Sequence, residues 1–393
     1  MIPLFRFVFV HLLAGFFVFG WVSPAEKVLA QGTAQKEPLS GILGQGDYTG
    51  PYWPTKGWRT SRPEAVGLNS EKLRQAIEYA ATPRFNTEGV VIIRKGYIAA
   101  EAYFGNFRID STHVSNSMAK SFTSTLIGIA IDKGLIKGID EKLCQYYDEW
   151  KCDDRQDFRS RITIRHAMTL TTGLDWKEDW SKWDPNTNDA LKMAQSGRFI
   201  NYMSQRKGLF EPGQRFFYST GDPMLLSRVI QKATGKTAFE FARETIFSPL
   251  NITNIRWEKD RDGYTSTAWG LHATVRDFAK FGTLFLNKGR WEDKQIVSRE
   301  WVEQSTRTDP SVRGWTAYGY LWHVNLPLRL SITRSPISTD SLPADGFMAE
   351  GVLGQTIVII PSMDLVIVRV ANQTSGNMDL VKFLTLVLSA IEK

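Results

Sequence analysis

Two pairs of β-rich runs stand at opposite ends of this chain, with a long stretch of helical pattern between them. Val90 to Arg94 and Tyr97 to Tyr103 are joined at Lys95-Gly96, a hairpin signal. Near the far end, Thr356 to Ile360 and Leu365 to Val370 flank Pro361-Ser362-Met363-Asp364. The middle, roughly 112 to 260, reads mostly as helix and loop. Strands at both ends with a helical insert predict an α+β fold: one antiparallel sheet assembled from the chain's two ends and flanked by helices, plus a helical lobe. The sheet lobe then takes residues 61–111 and 261–393, and the helical lobe 112–260. A cleft between lobes is the natural place for a site. Asn69-Ser70-Glu71 caps a helix through Ala81, with Leu73, Ala76, Ile77 and Ala80 on one face. Leu380 to Ile391 reads as an amphipathic closing helix. An apolar content of 42% supplies ample core for such a fold.

Two segments precede the predicted domain at 61–393. Arg6 and the apolar run Phe7 to Val22 read as a signal peptide over residues 1–30, with Val28-Leu29-Ala30 as an A-x-A-like cleavage site. The alternative is an anchor retained in the membrane through residues 7–22; either reading places the domain outside the cytoplasm, periplasmic or secreted. Residues 31–60, rich in Gly, Gln and Pro, read as an extended lead-in. The formal charge of +7 is modest and dispersed. It gives no basic-aromatic signature for nucleic acid and supports at most a loose association with anionic envelope surfaces. The two cysteines, Cys144 and Cys152, are too few and too close for a zinc site. An oxidising compartment permits a disulfide between them, and two free thiols is the equal alternative.

Ser117-Met118-Ala119-Lys120 heads the apolar segment Phe122 to Ile131. If that segment is helical, Ser117 lies at its first turn and Lys120 one turn on, on the same face. A hydroxyl and an amine then come within hydrogen-bond reach, and the helix start offers N–H groups to an oxyanion. That is an activated nucleophile without histidine. A second S-x-x-K match, Ser204 to Lys207, has no apolar helix behind it and reads as surface. Tyr218-Ser219-Thr220-Gly221-Asp222 follows a turn and precedes the apolar helix Met224 to Ile230. Its tyrosine can project into a cleft, where its phenol could take or relay the serine proton if cations such as Lys120 lower its pKa. Ala349-Glu350-Gly351-Val352 enters a strand. Glycine there allows close approach, and the N–H of Val352 joins that of Ser117 as a candidate oxyanion hole.

With Ile129 to Gly134, Ile164 to Leu174, Trp269 to Asp277 and Gly354 to Pro361, these segments resemble the penicillin-recognising serine hydrolases from about residue 60 onward. The nearest branch is the class C β-lactamase-like one, which includes 6-aminohexanoate-dimer hydrolase, family VIII esterases and D-aminopeptidases. The resemblance implies a β-lactamase/transpeptidase-like fold, Ser117 as nucleophile, Lys120 as its base or proton relay, and Tyr218 on the leaving-group side. It also implies a covalent acyl-enzyme and no metal or organic cofactor.

The chain departs from that family in two places. Where β-lactam-binding members carry Lys-Thr-Gly, this chain has Ala349-Glu350-Gly351 with no cation, and Thr220 stands where lactamases have Asn. Both argue against antibiotic hydrolysis and leave ester or amide chemistry intact. Glu350 and Gly351 are substrate-binding candidates, Glu350 for a substrate ammonium. Trp183, from a loop that also holds Trp176 and Trp180, is a candidate lid. His272 is a candidate cleft residue, whereas His113, His166 and His323 read as structural. The resulting expectation is an exported serine hydrolase acting on a small ester, amide or peptide. Alternatives of the same fold are a DD-peptidase, a D-aminopeptidase or a β-lactamase; a non-catalytic binding or sensor protein is the alternative from another class.

Overall fold

The computed structural model describes residues 42–181, 183–312, 317–333, 335–373 and 377–392; the expected signal peptide at 1–30 and most of the expected lead-in, residues 31–41, lie outside them. Helix α1 (Ser70–Ala80) precedes β1 (Thr87–Arg94), β2 (Tyr97–Tyr103) and β3 (Thr112–Val114). A helical stretch follows: α2 (Ala119–Asp132), α3 (Ile164–Met168), α4 (Asp189–Ser196), α5 (Phe199–Ser204), α6 (Gly221–Thr234) and α7 (Ala238–Ala242). The chain returns through β4 (Arg256–Trp257), β5 (Leu271–Thr274), α8 (Val275–Leu286), the hairpin β6 (Arg290–Trp291) and β7 (Lys294–Gln295), and α9 (Arg299–Ser305). It closes with β8 (His323–Val324), α10 (Leu326–Ser331), β9 (Phe347–Gly351), β10 (Gln355–Ile360), β11 (Leu365–Ala371) and α11 (Leu380–Ser389).

The main sheet runs β2-β1-β11-β10-β9-β8, so strands from the two chain ends are neighbours. β1 lies antiparallel to β11 with Ile92 opposite Ile367. Alternate side chains leave a strand on opposite faces, and both faces here are covered. Val90, Ile92, Val358, Ile360, Leu365 and Ile367 pack toward Leu73, Ile77, Val381 and Leu384 of α1 and α11. Val91, Ile93, Ile357, Ile359, Val366 and Val368 join Phe278 and Phe281 of α8 in the other core. A Cβ on Gly282 would lie 2.6 Å from Val366 Cγ1, so glycine there allows α8 to approach the sheet. Helix α2 is buried on all sides from Ala119 to Ala130, which fits its near-absence of charge. Phe122 stacks on Phe281 at 3.6 Å between centroids, locking α2 to α8.

Local signals account for most boundaries. Asn69 caps α1 by accepting from the Lys72 N–H at 3.0 Å. Lys95 and Gly96 both take positive φ, as a two-residue hairpin turn requires. Helix α6 begins at Gly221 rather than Met224, because the Asp222 carboxylate accepts from the Ser219 hydroxyl and the Thr172 hydroxyl, both at 2.9 Å, and fixes the first turn. Helix α11 stops at Ser389 because the Ala390 carbonyl accepts from the Asn69 N–H at 2.7 Å, drawing the chain end onto the start of α1. Cys144 and Cys152 are joined as a disulfide, which decides between the two alternatives left by the sequence.

Candidate active site

Ser117 lies in a 3-10 turn, Asn116–Met118, that runs straight into α2. Asn116 adopts a left-handed conformation (φ 46°), and its side-chain amide donates to the Val352 carbonyl at 2.7 Å. That bond ties the serine turn to the end of β9. A Cβ on Gly351 would lie 2.4 Å from the Ser115 carbonyl oxygen and 3.0 Å from the Ser117 nitrogen, so only glycine allows strand and turn to approach this closely. Helix start and strand end are thereby held beside the Ser117 hydroxyl.

Lys120, one turn along, is 2% exposed. Its ammonium donates to Ser117 Oγ at 2.7 Å, to the Ala268 carbonyl at 3.3 Å and to Thr220 Oγ1 at 3.4 Å. Burial pulls its pKa down to about 8, against the opposing pull of the Glu178 carboxylate. Tyr218 enters from the turn before α6, its ring centroid 5.1 Å from Lys120 Nζ, and its phenol faces the Ser117 side chain, which eases its ionisation. Burial raises the phenol's pKa, and the Glu178 charge adds to the rise. This corrects the expectation that the lysine would lower it: desolvation of a phenolate outweighs a cation that burial has itself made labile. Behind the turn, burial pushes the Asp222 carboxyl up to about 7 despite its bonds from Thr172 and Ser219.

A cleft of about 620 Å³ opens over Ser117, lined also by Trp180, Phe216, Tyr218, His323, Arg329, Ile332, Glu350, Gly351 and Val352. On the sheet side, Arg329 of α10 donates to Glu350 Oε2 at 2.5 Å and to His323 Nδ1 at 3.0 Å. A guanidinium only donates, so His323 carries its proton on Nε2. Burial and the neighbouring Arg329 hold this histidine neutral. Its ring lies nearly parallel to that of Tyr218, 6.4 Å away. The cleft strand itself carries no cation, yet α10 brings one to the same wall.

Ser117, Lys120, Tyr218, Glu350, Gly351 and Val352 therefore meet at one cleft. Two other candidates do not line it. Trp183, at φ 49°, is turned outward and packs edge-on against Trp180, which takes the wall position instead. His272 sits on β5 opposite Arg256 of β4; its ring lies 3.0 Å from Glu258 and 2.9 Å from Arg256, engaged within that small sheet. Ser204 is buried rather than at the surface: it ends α5, and its hydroxyl donates to the Asn201 carbonyl at 3.3 Å. Among the described residues, no cluster of three or more His, Cys, Asp or Glu could hold a metal ion. The sequence reading missed Glu178, Arg329 and the cleft position of His323. The one available signal was an acid flanked two residues away on each side by Trp176 and Trp180.

The Beta-lactamase family matches residues 75–391. This chain belongs to that family. A 6-aminohexanoate-dimer hydrolase of Paenarthrobacter ureafaciens is 22% identical, aligning over 62% of this chain and 61% of that one. A provisionally assigned D-alanyl-D-alanine carboxypeptidase of Escherichia coli K12 is 21% identical, over 80% and 85%. Among solved structures, a provisionally assigned 6-aminohexanoate-dimer hydrolase of Bacillus anthracis superposes with a TM-score of 0.65 at 21% identity, covering 79% of each chain. The fold is thus the β-lactamase and penicillin-binding-protein one, and the family is one of hydrolases.

Proposed function

We propose that this protein is an exported serine hydrolase that cleaves ester or amide bonds through an acyl-enzyme on Ser117. The observation that carries the reading is the buried Lys120 amine 2.7 Å from the Ser117 hydroxyl. At pH 7 an unshifted lysine is free amine in roughly one molecule in three thousand; a pKa of about 8 makes it about one in ten. Lys120 takes the hydroxyl proton as Ser117 Oγ bonds to the carbonyl carbon, and the N–H groups of Ser117 and Val352 receive the oxyanion. The C–O or C–N bond then breaks, and the leaving atom receives the proton through Tyr218. With its raised pKa, Tyr218 works as a neutral phenol, a donor and relay rather than a phenolate base. Water releases the acyl group by the reverse steps.

Glu350 and Arg329 neutralise each other on the cleft wall, and Trp180, Phe216 and Ile332 supply apolar surface. Such a cleft favours uncharged esters and amides over β-lactams, whose carboxylate would have to be desolvated beside Glu350. Export rests on Arg6, the apolar run and Val28-Leu29-Ala30; the Cys144–Cys152 disulfide fits an oxidising compartment.

The test is labelling with a fluorophosphonate followed by peptide mapping. The adduct is expected on the Ser117 peptide and absent in Ser117→Ala; an adduct elsewhere, or none, would overturn the assignment. N-terminal sequencing of exported protein is expected to begin near Gln31, and full-length protein in the membrane fraction would favour the anchor.

A further inference from the structure

Glu178 lies in the loop between the Thr172-Gly173-Leu174 segment and α4, and each of its carboxylate oxygens accepts two hydrogen bonds. Oε1 receives the Thr220 hydroxyl at 2.6 Å and the Trp180 indole N–H at 2.8 Å. Oε2 receives the Thr220 backbone N–H at 2.6 Å and the Trp176 indole N–H at 2.8 Å. All four donors are neutral, so no cation bonds the carboxylate directly where it meets Thr220, whose hydroxyl oxygen in turn faces Lys120 Nζ at 3.4 Å.

The direction of these bonds matters. A threonine hydroxyl has one proton. Here that proton goes to Glu178, which leaves the Thr220 oxygen able only to accept from Lys120. The Ala268 carbonyl, 3.3 Å from the same nitrogen, is likewise only an acceptor. A free lysine amine has two N–H groups and one lone pair. With both N–H groups directed to Thr220 and Ala268, the lone pair points to the remaining neighbour, the Ser117 hydroxyl at 2.7 Å.

We infer that Glu178 is a positioning residue for the acyl-transfer reaction: through the Thr220 hydroxyl it aims the Lys120 lone pair at Ser117. The inference rests on the Ser117–Lys120 reading above and adds a residue that touches neither substrate nor nucleophile. The Glu178 charge also raises the pKa of Lys120 against burial, so the same carboxylate sets both the aim and the pH range of the base. Among the described residues, the other charged or titratable groups around the centre are Tyr218 and Asp222 from the turn into α6, Tyr318, whose ring packs edge-on against His323 and whose phenol burial keeps neutral, His323 of β8, Arg329 of α10 and Glu350 of β9. Tyr218 and His323 remain neutral, and Arg329 and Glu350 form a mutual pair. Asp222, whose carboxyl is pushed up to about 7, is the other described group at the centre that titrates near neutral pH.

A Glu178→Gln side chain cannot accept four bonds. If its amide nitrogen faces Thr220, that nitrogen donates to the threonine oxygen, and the freed hydroxyl proton turns onto the Lys120 lone pair. The test is the pH profile of kcat/KM for p-nitrophenyl butyrate in wild type, Glu178→Gln, Thr220→Val and the double variant. Glu178→Gln is expected to lower kcat/KM by about tenfold or more and to move the acidic limb to lower pH by about half a unit or more. Thr220→Val is expected to lose a comparable rate, and the double variant to be no worse than the slower single one. An unmoved limb in Glu178→Gln, or losses that simply add in the double variant, would overturn the inference. Asp222→Asn should leave the limb in place; a limb that follows this change instead belongs to Asp222 and also overturns it. If Glu178→Gln does not fold, a near-wild-type rate in folded Thr220→Val has the same force. Wild type that fails to label at Ser117 with fluorophosphonate sinks the functional reading itself; wild type that labels beside an unchanged Glu178→Gln profile sinks only the role of Glu178.

Discussion

Lys120 and Arg329 are both cationic side chains of one cleft, and their surroundings treat them differently. Lys120 meets a hydroxyl it can deprotonate, a carbonyl and a threonine oxygen, with its nearest counter-charge, Glu178, one residue removed behind Thr220. Its proton is therefore loosely held. Arg329 meets the Glu350 carboxylate directly, so its charge is compensated in place. The same contrast runs through their elements: α2 is a long, fully buried helix, whereas α10 is a short one at the sheet edge, with Ile332 just beyond it 56% exposed. A buried cation with a distant counter-charge can serve as a base, and a paired one can only shape a wall.

The most severe way to probe this contrast is to remove the proposed base. Lys120→Ala should lower kcat by about a hundredfold or more, whereas Arg329→Ala should change ester turnover far less; equal losses in a p-nitrophenyl butyrate assay would erase the distinction. Next comes Tyr218→Phe. Amide hydrolysis should fall by about a hundredfold, and hydrolysis of a p-nitrophenyl ester by less, because a good leaving group asks little of the neutral phenol. An ester loss as large as the amide loss would make Tyr218 part of the attack step instead. The pH profile sharpens the comparison further. If Lys120 is the base proposed above, its ammonium form is inactive, so kcat/KM should be low below its pKa of about 8 and rise as pH increases through that value. A limb that stays there in Arg329→Ala supports the separation of the two cations, and one that moves contradicts it. The smallest effect is expected from Glu350→Gln, which leaves Arg329 without its partner. Turnover of the anionic β-lactam nitrocefin should then rise by roughly two- to fivefold while the neutral ester is unaffected; no gain would mean that the wall plays no part in rejecting carboxylates.

What could be read in advance follows the same division. Ser117 and Lys120 are three residues apart, so one helical turn brings them together and the sequence alone reveals the pair. The sheet was legible because its strands carry continuous apolar runs and its turns carry Lys95-Gly96 and Pro361. Arg329 reaches Glu350 across 21 residues, and Glu178 reaches Thr220 across 42, through contacts that no local period encodes. Trp183 was a reasonable lid by composition, but a left-handed turn at that residue exchanges it with Trp180. His272 was placed by its neighbours in sequence, and the cross-strand pairing with Arg256 decided otherwise.

The pairing of β1 with β11 has a consequence for how the protein comes into being. Thr87 and Arg369, bonded side chain to side chain, are 282 positions apart, so the middle of the sheet cannot close until nearly the whole chain has been made. At a synthesis rate of about 5–20 residues per second, that is a wait of roughly 15 to 55 seconds with the first hairpin edge uncovered. Such a topology folds slowly and late. It also leaves the serine turn without its strand partner, since Asn116 bonds to Val352 only once the far end arrives. A truncated or stalled chain would carry Ser117 and Lys120 without the strand that completes the cleft around them.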